Sequence, residues 1–398
     1  MINKAIRSQA TPIRVRRGSD SNLDVPLLGI LGFLILVGLV MVSSTSLPLS
    51  ESYALPSLYY FWRQLFAVAL GCFLLFSVLI IPLRYLEATS TFLLFLHIFL
   101  LLLVVIPDIG HEVNGARRWL RIFGVSYQPS EWIKLVIILY VSSYIVRHKT
   151  QVANDFVGFV KPFLILAIIC SLLVLEPDFG STVVLSMTVL GMLFLAGVPL
   201  RRFIAWTFAL SALLATVALT APYRLTRLMS FTDPWSDPLN SGWQLTQALI
   251  AFGNGSWLGV GLGNSVQKLF YLPEVHTDFI FAILGEEFGV VGAALIIVLF
   301  TFLVWRLFKI GGEALNQDKI FAAYTSYGVG FLIGIQAFMN IGVNLGLLPT
   351  KGLPLPFLSY ANNNLLVSCL AVGIVLRVAY ENRTILSNSK VKKAKEIA

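Results

Sequence analysis

Charge is scarce in this chain: only 12% of its 398 residues are Asp, Glu, Lys or Arg, against 57% hydrophobic residues. The mean hydropathy is +0.82, and a water-soluble domain of this length needs more charge to stay in solution. Cysteine is scarcer still. Cys72, Cys170 and Cys369 fall in separate apolar runs, with no CxxC pair and no histidine cluster nearby. That pattern argues against a disulfide framework or a structural zinc site. No internal repeat, low-complexity linker or soluble domain interrupts the chain. The glycine-rich run NGSWLGVGLGNSV lacks the strand–loop–helix context that a nucleotide-binding loop requires. The N-terminus shows no cleavable-signal pattern, because about two dozen polar residues precede an apolar run long enough to be retained as an anchor.

Long apolar runs are what the chain has in excess. Stretches of roughly 17–25 such residues recur from Val25 to the C-terminal region, the length that crosses a hydrocarbon core. Backbone groups in lipid have to be bonded within their own segment, so these runs predict helices. The expected fold is an all-α polytopic membrane protein with about ten transmembrane helices. They are placed near 25–45, 61–81, 90–106, 131–146, 160–176, 180–198, 203–221, 278–308, 319–345 and 362–380. The fourth is short and carries Glu131 and Lys134; the eighth is long and carries Glu286 and Glu287. Either is a candidate for a break or a tilt. The domain reading is a cytoplasmic segment 1–24, a membrane domain 25–380 and a basic cytoplasmic tail 381–398. Most of the 29 lysines and arginines share a side with the N-terminus, so the positive-inside rule puts both termini in the cytoplasm. This bias accounts for the net charge of +9 without nucleic acid as a partner.

Three outward segments carry the polar chemistry: 107–130, the large loop 222–277 between helices 7 and 8, and 346–361. Arg117, Arg118 and Arg121 crowd the first, on the side where basic residues should be rare. An anionic ligand would suit their planar donor forks and is the favoured reading; contact with lipid headgroups, or pairing with Asp108 and Glu112, is the alternative. Carboxylates in or near hydrocarbon cost on the order of 2.5–3.5 kcal/mol and need a partner, a cavity or a function. Glu131 and Lys134 share a helix face at i,i+3 and read as an internal ion pair or a substrate contact. Asp178, in EPDFGST, reads as a helix cap or as a partner for Lys134. Asp278 opens the eighth span, where it could serve as a base or as a cap. Glu286 and Glu287 lie deeper and should be buried. His276, two residues before Asp278, is a positioning or structural residue and a candidate for substrate contact.

Four stretches give the chain a family resemblance: GARRWLRIFGVSYQPSEWIKL; EPDFGST; the long run from YRLTRLMSFTDPW through GNSVQKLFYLPEVHTDFIFAILGEE; and NIGVNLGLLPTKGLPLPFLSY. In this order they resemble the SEDS (shape, elongation, division and sporulation) family of bacterial cell-wall polymerases, and its division branch more than its elongation branch. The resemblance implies a ten-helix peptidoglycan glycosyltransferase that polymerises lipid II at the periplasmic face of the inner membrane, at the division septum. It implies Asp278 as the catalytic carboxylate, and Arg118 and Lys351 at the substrate, joined by Arg117 and His276 from the reading above. Glu131, Lys134 and Asp178 would support the site. It further implies a class B penicillin-binding transpeptidase and other division proteins as partners. A pyrophosphate leaving group makes a divalent cation (Mg²⁺ or Mn²⁺) a candidate cofactor, with no organic cofactor and no built-in metal site expected. Relatives typically read SYGGSS where this chain has Ser359, Tyr360, Ala361, Asn362, Asn363 and Asn364, so no role is assigned there. Two other readings are a lipid II flippase and a non-catalytic division scaffold. A flippase should place its key groups near the midplane in repeated halves, and under a scaffold Asp278 would be silent.

Overall fold

A computed structural model of the chain describes residues 23–113, 116–122, 124–148, 151, 156–201, 203–205, 207–208, 212, 216 and 230–397. Most of the segment 1–24, most of the seventh span 203–221 and the first part of the large loop lie outside the described residues.

The apolar runs form helices whose ends are set by prolines and caps. α1 (Val25–Ser52) starts where Asp24 Oδ1 accepts from the Leu27 N–H at 3.2 Å. α2 (Tyr59–Ile80) and α3 (Leu83–Val105) flank Pro82. α4 (Pro129–Arg147) has its proline in the first turn, where the missing N–H costs nothing. α5 (Phe156–Leu175) and α6 (Phe179–Leu195) are joined by a tight turn. α7 (Trp243–Gly255), α8 (Ile280–Leu315), α9 (Ile320–Asn344) and α10 (Asn362–Ile397) follow. α1–α4, α8, α9 and the first part of α10 are long and apolar enough to cross a membrane, and α5 and α6 hold shorter apolar helices. Each falls on a predicted span to within several residues. With no Gly or Pro after Gly373 to stop it, α10 runs on through the expected tail.

Large apolar side chains such as Phe33, Phe66, Phe73, Phe92, Phe95 and Val298 stand exposed along α1–α3 and α8, where lipid would cover them. α4 is the central post, with only Trp132, Val146 and Arg147 escaping burial. At one end of the bundle fully buried Asp24 accepts from Arg306 Nε at 3.1 Å and from an Arg383 Nη at 2.7 Å, tying α1, α8 and α10 together. A buried carboxylate between two guanidinium forks is tolerable because both its oxygens are paired.

The other end carries a feature that hydropathy did not announce. Segment 107–130 holds a three-stranded antiparallel sheet of β1 (Gly110–Val113), β2 (Ala116–Ile122) and β3 (Val125–Tyr127), in that order. Glu112 faces Arg117, a bulge follows His111, and Leu120 faces Tyr127. Among the described residues the spans are therefore helical, whereas this loop is not.

α8 is broken at Gly289 (φ +67°). The backbone groups released there pair with the segment after α7: Val260 N–H donates to Glu286 O at 3.0 Å, Gly261 N–H to Glu287 O at 3.0 Å, and Val290 N–H to Ser256 O at 3.0 Å. A Cβ on Gly289 would stand 2.4 Å from Trp257 O, and one on Gly259 2.1 Å from Glu287 O, so both positions need glycine. Glu286 and Glu287 flank this joint and are buried. Glu286 accepts from Ser265 Oγ, from the Val266 and Gln267 N–H groups (both 3.3 Å) and from Asn254 Nδ2 (3.2 Å). Glu287 takes Lys268 Nζ at 2.8 Å and Ser44 Oγ at 2.6 Å.

Candidate active site

At the end of the bundle that carries the sheet, a cavity of about 470 Å³ opens among β2, α7, the loop 346–361 and the starts of α4, α6, α8 and α10. It is large enough for part of a sizeable ligand. Asp278, Arg118, Lys351, Glu131 and Asp178 line it together, although they are up to 233 residues apart in the chain (351 − 118). Lys134 stands behind Glu131, its Nζ 2.7 Å from Glu131 Oε1, with both side chains buried.

Strand geometry sorts the arginines. Successive residues of a strand point to opposite faces, so Arg118 lines the cavity while Arg117 is exposed and paired with Glu112 at 3.0 Å. Arg121 turns to His111 at 2.8 Å. The pairing with Glu112 weighed above thus describes Arg117, which does not line the cavity. Arg118 donates from Nε to Glu176 O at 3.1 Å and from an Nη to Pro177 O, so the α5–α6 turn fixes its fork. In that turn Asp178 does cap α6, accepting from the Ser181 N–H at 3.1 Å, and also lines the cavity.

Asp278 lies in the turn before α8 rather than in its first position; the helix starts at Ile280, and its N-cap Phe279 makes no side-chain cap hydrogen bond. Its backbone is held by two asparagines of α9. Asn340 Nδ2 reaches Asp278 O at 2.8 Å and Leu353 O at 2.7 Å, and Asn344 Nδ2 reaches Asp278 O at 3.0 Å. Gln336 Nε2 donates to Pro354 O at 3.2 Å. Sequence reasoning assigned nothing to these three, yet amides at i, i+4 and i+8 along one face of a spanning helix were a signal. The sequence marks the loop they hold as a polar segment. Leu353, Leu355, Phe357 and Leu358 are instead buried, and Phe357 O would sit 2.4 Å from a Cβ on Gly38 of α1. Gly352 brings this loop against the carboxylate: a Cβ there would stand 3.1 Å from Asp278 Oδ2. Lys351 Nζ lies 4.4 Å from the centroid of the Phe179 ring.

His276 does not line the cavity. Its ring lies 5.7 Å from those of both Tyr60 and Tyr360, and its carbonyl accepts from the Tyr360 N–H at 2.8 Å. Burial pulls its pKa below the usual imidazole value, with Glu274 opposing. Glu176, just past the end of α5, is buried, and neither carboxylate oxygen has a hydrogen-bond partner among the described residues. Burial, then the charge of Asp178, push its pKa up to about 9, with Arg118 opposing. No group of three or more His, Cys, Asp or Glu able to hold a metal ion occurs among the described residues.

Bundle and cavity define a polytopic membrane protein whose ionisable site lies at one end of its helices, where several of them begin. Residues 26–384 match the FtsW/RodA/SpoVE family, described as cell cycle protein, and the chain belongs to that family. It is 48% identical to a probable peptidoglycan glycosyltransferase FtsW of Hahella chejuensis over 359 residues, 90% of each chain. It is 50% identical to the protein of the same description from Methylococcus capsulatus over 360 residues, again 90% of each. Among solved structures it resembles one reported as structural coordination of polymerization and crosslinking by a peptidoglycan synthase complex. That match has a TM-score of 0.72 at 27% identity and covers 90% of this chain and 98% of the other. It also resembles the rod shape determining protein RodA of Thermus thermophilus, with a TM-score of 0.66 at 25% identity, covering 90% and 96%.

Proposed function

We propose that this chain is a peptidoglycan glycosyltransferase that polymerises lipid II by inverting glycosyl transfer, with Asp278 as general base. The observation that carries the reading is the meeting of Asp278, Arg118 and Lys351 in one cavity. Asp278 takes the proton of the acceptor sugar hydroxyl as that oxygen forms its bond to the donor's anomeric carbon. The bond from that carbon to the lipid pyrophosphate breaks, and the pyrophosphate leaves with the electron pair. Such a leaving group needs charge stabilisation rather than a strong acid, and Arg118 and Lys351 supply it. A positioned base is worth about 10²–10⁴-fold in rate.

A divalent cation fits as a species shared between substrate phosphates and one or two carboxylates, the usual manner for Mg²⁺. Glu274 and Asp278 line the cavity four residues apart, joined by the Asp278 N–H donating to Glu274 O at 3.1 Å, and they would hold it. When bound it would neutralise phosphate charge. The flippase reading is less well supported, since the deeper ionisable groups Glu286, Glu287 and Lys268 are committed to fixed internal partners.

In this reading both termini are cytoplasmic and the cavity faces the periplasm at the septum. A class B penicillin-binding transpeptidase crosslinks the strands and other division proteins set the activity. The test is glycan polymer from the chain purified with its cognate transpeptidase, given lipid II and Mg²⁺ or Mn²⁺. Wild type should polymerise, and Asp278→Asn should insert in membranes but make no polymer. Equal polymer from both refutes Asp278 as base; no polymer from wild type refutes the activity.

A further inference from the structure

Asn363 and Asn364, at the start of α10, are not equivalent. Asn363 has both ends of its carboxamide engaged. Its Nδ2 donates to Ser126 O of β3 at 3.0 Å, and its Oδ1 accepts from Trp132 Nε1 at 3.3 Å and the Gln128 N–H at 3.4 Å. Each partner can act in one sense only, a carbonyl as acceptor and an indole or backbone N–H as donor, so the orientation is forced. Asn363 is thus a tie between sheet, α4 and α10.

Asn364 is different. Its Nδ2 donates to Glu131 Oε2 at 2.7 Å, while Lys134 holds Glu131 Oε1 at 2.7 Å. A carboxylate paired with an ammonium only accepts, so the amide cannot be flipped and its carbonyl oxygen is fixed on the other side. That oxygen accepts no hydrogen bond among the described residues, nor is it closed off as a buried orphan, and Asn364 lines the cavity. The remaining polar lining includes carboxylates (Glu131, Asp178, Glu274, Asp278) and cations (Arg118, Lys351). A preoriented neutral acceptor, with its own N–H group already committed, suits a neutral group that only donates.

We infer that Asn364 is a specificity-determining residue whose carbonyl oxygen accepts from the acetamido N–H of an N-acetylamino sugar in the cavity. This rests on the glycosyltransferase reading and deepens it. Glu131 and Lys134 act through Asn364 as positioning residues, holding the carboxamide in the one orientation that presents oxygen to the sugar.

The experiment compares lipid II with an analogue whose acetamido N–H groups are replaced by ester oxygens, using wild type and Asn364→Leu, each with the partner transpeptidase. Wild type should favour the natural substrate by about tenfold in kcat/KM, the size of one neutral hydrogen bond, mainly through KM. Asn364→Leu should lose that preference. Equal loss on both substrates, with the preference intact, would mean that Asn364 only supports Glu131, and overturns the inference. Wild type that polymerises both substrates equally overturns it without any variant. Wild type that polymerises neither refutes the underlying reading instead.

Discussion

Replacing Asn340 by Leu is the sharpest probe of how α9 places Asp278. The two side chains have similar shape, so the loss is of hydrogen bonds rather than of packing: two that Asn340 Nδ2 donates and one that its Oδ1 accepts from Asn344 Nδ2 at 3.4 Å. Asp278 O keeps Asn344 Nδ2 at 3.0 Å, whereas Leu353 O, in a loop residue only 1% exposed, loses its 2.7 Å partner. One buried acceptor left unsatisfied costs about 1–3 kcal/mol, so the variant should fold but with a lower thermal midpoint. The effect on turnover should be larger than that on stability. Among the described residues Asn340 is the one side chain that donates both to the turn of Asp278 and to the loop bearing Lys351, and a misplacement of about 1 Å at a reacting group can cost about 10²-fold. Thermal unfolding in detergent and initial rates of glycan polymerisation measure the two effects separately. Wild-type polymerisation together with an unchanged midpoint would refute the claim that this amide holds the two loops in register.

Gly352→Ala should lower polymerisation with little change in thermal midpoint, because the new methyl would stand 3.1 Å from Asp278 Oδ2 and push on the carboxylate; an unaltered rate would mean that the loop yields freely. Glu176 sets a pH dependence of stability. Its carboxyl holds a proton up to about pH 9 when folded, against an ordinary value of 4.5, so the folded state keeps a proton that the unfolded chain releases. Its contribution is present in full below pH 4.5 and is lost as pH rises through about 9. Glu176→Gln should therefore gain on wild type in thermal midpoint between pH 6 and pH 9, and a difference independent of pH would contradict the assignment.

The spanning helices were legible because hydrocarbon thickness imposes a length and backbone satisfaction imposes helix, two constraints that act on every span alike. The sheet was not. Its strands are three to seven residues long and contain glycine and arginine as well as apolar residues, so no run of alternation stands out. That omission made Arg117 and Arg118 look equivalent, since only strand pairing separates their faces. Asp278, Arg118 and Lys351 were placed by resemblance, and the cavity brings them together. Asn340 and Asn344 were visible as amides in an apolar run, but the carbonyls of Leu353 and Asp278 that they hold lie 13 and 66 residues away, which periodicity cannot supply. Asn364 could not be assigned from sequence because its role depends on which way its carboxamide faces.

The joint between α8 and the segment after α7 is backbone on both sides, and this has a consequence for how the chain can vary. Trp257, Leu258 and Leu262 project away from it and are exposed, so a substitution scan should find them widely replaceable. Gly255, Gly259 and Gly289 admit no such freedom, since a Cβ on any of them would fall within 2.4 Å of a neighbouring backbone oxygen. The break in the helix is thereby written in a one-letter alphabet, embedded in a stretch where many other letters can be exchanged.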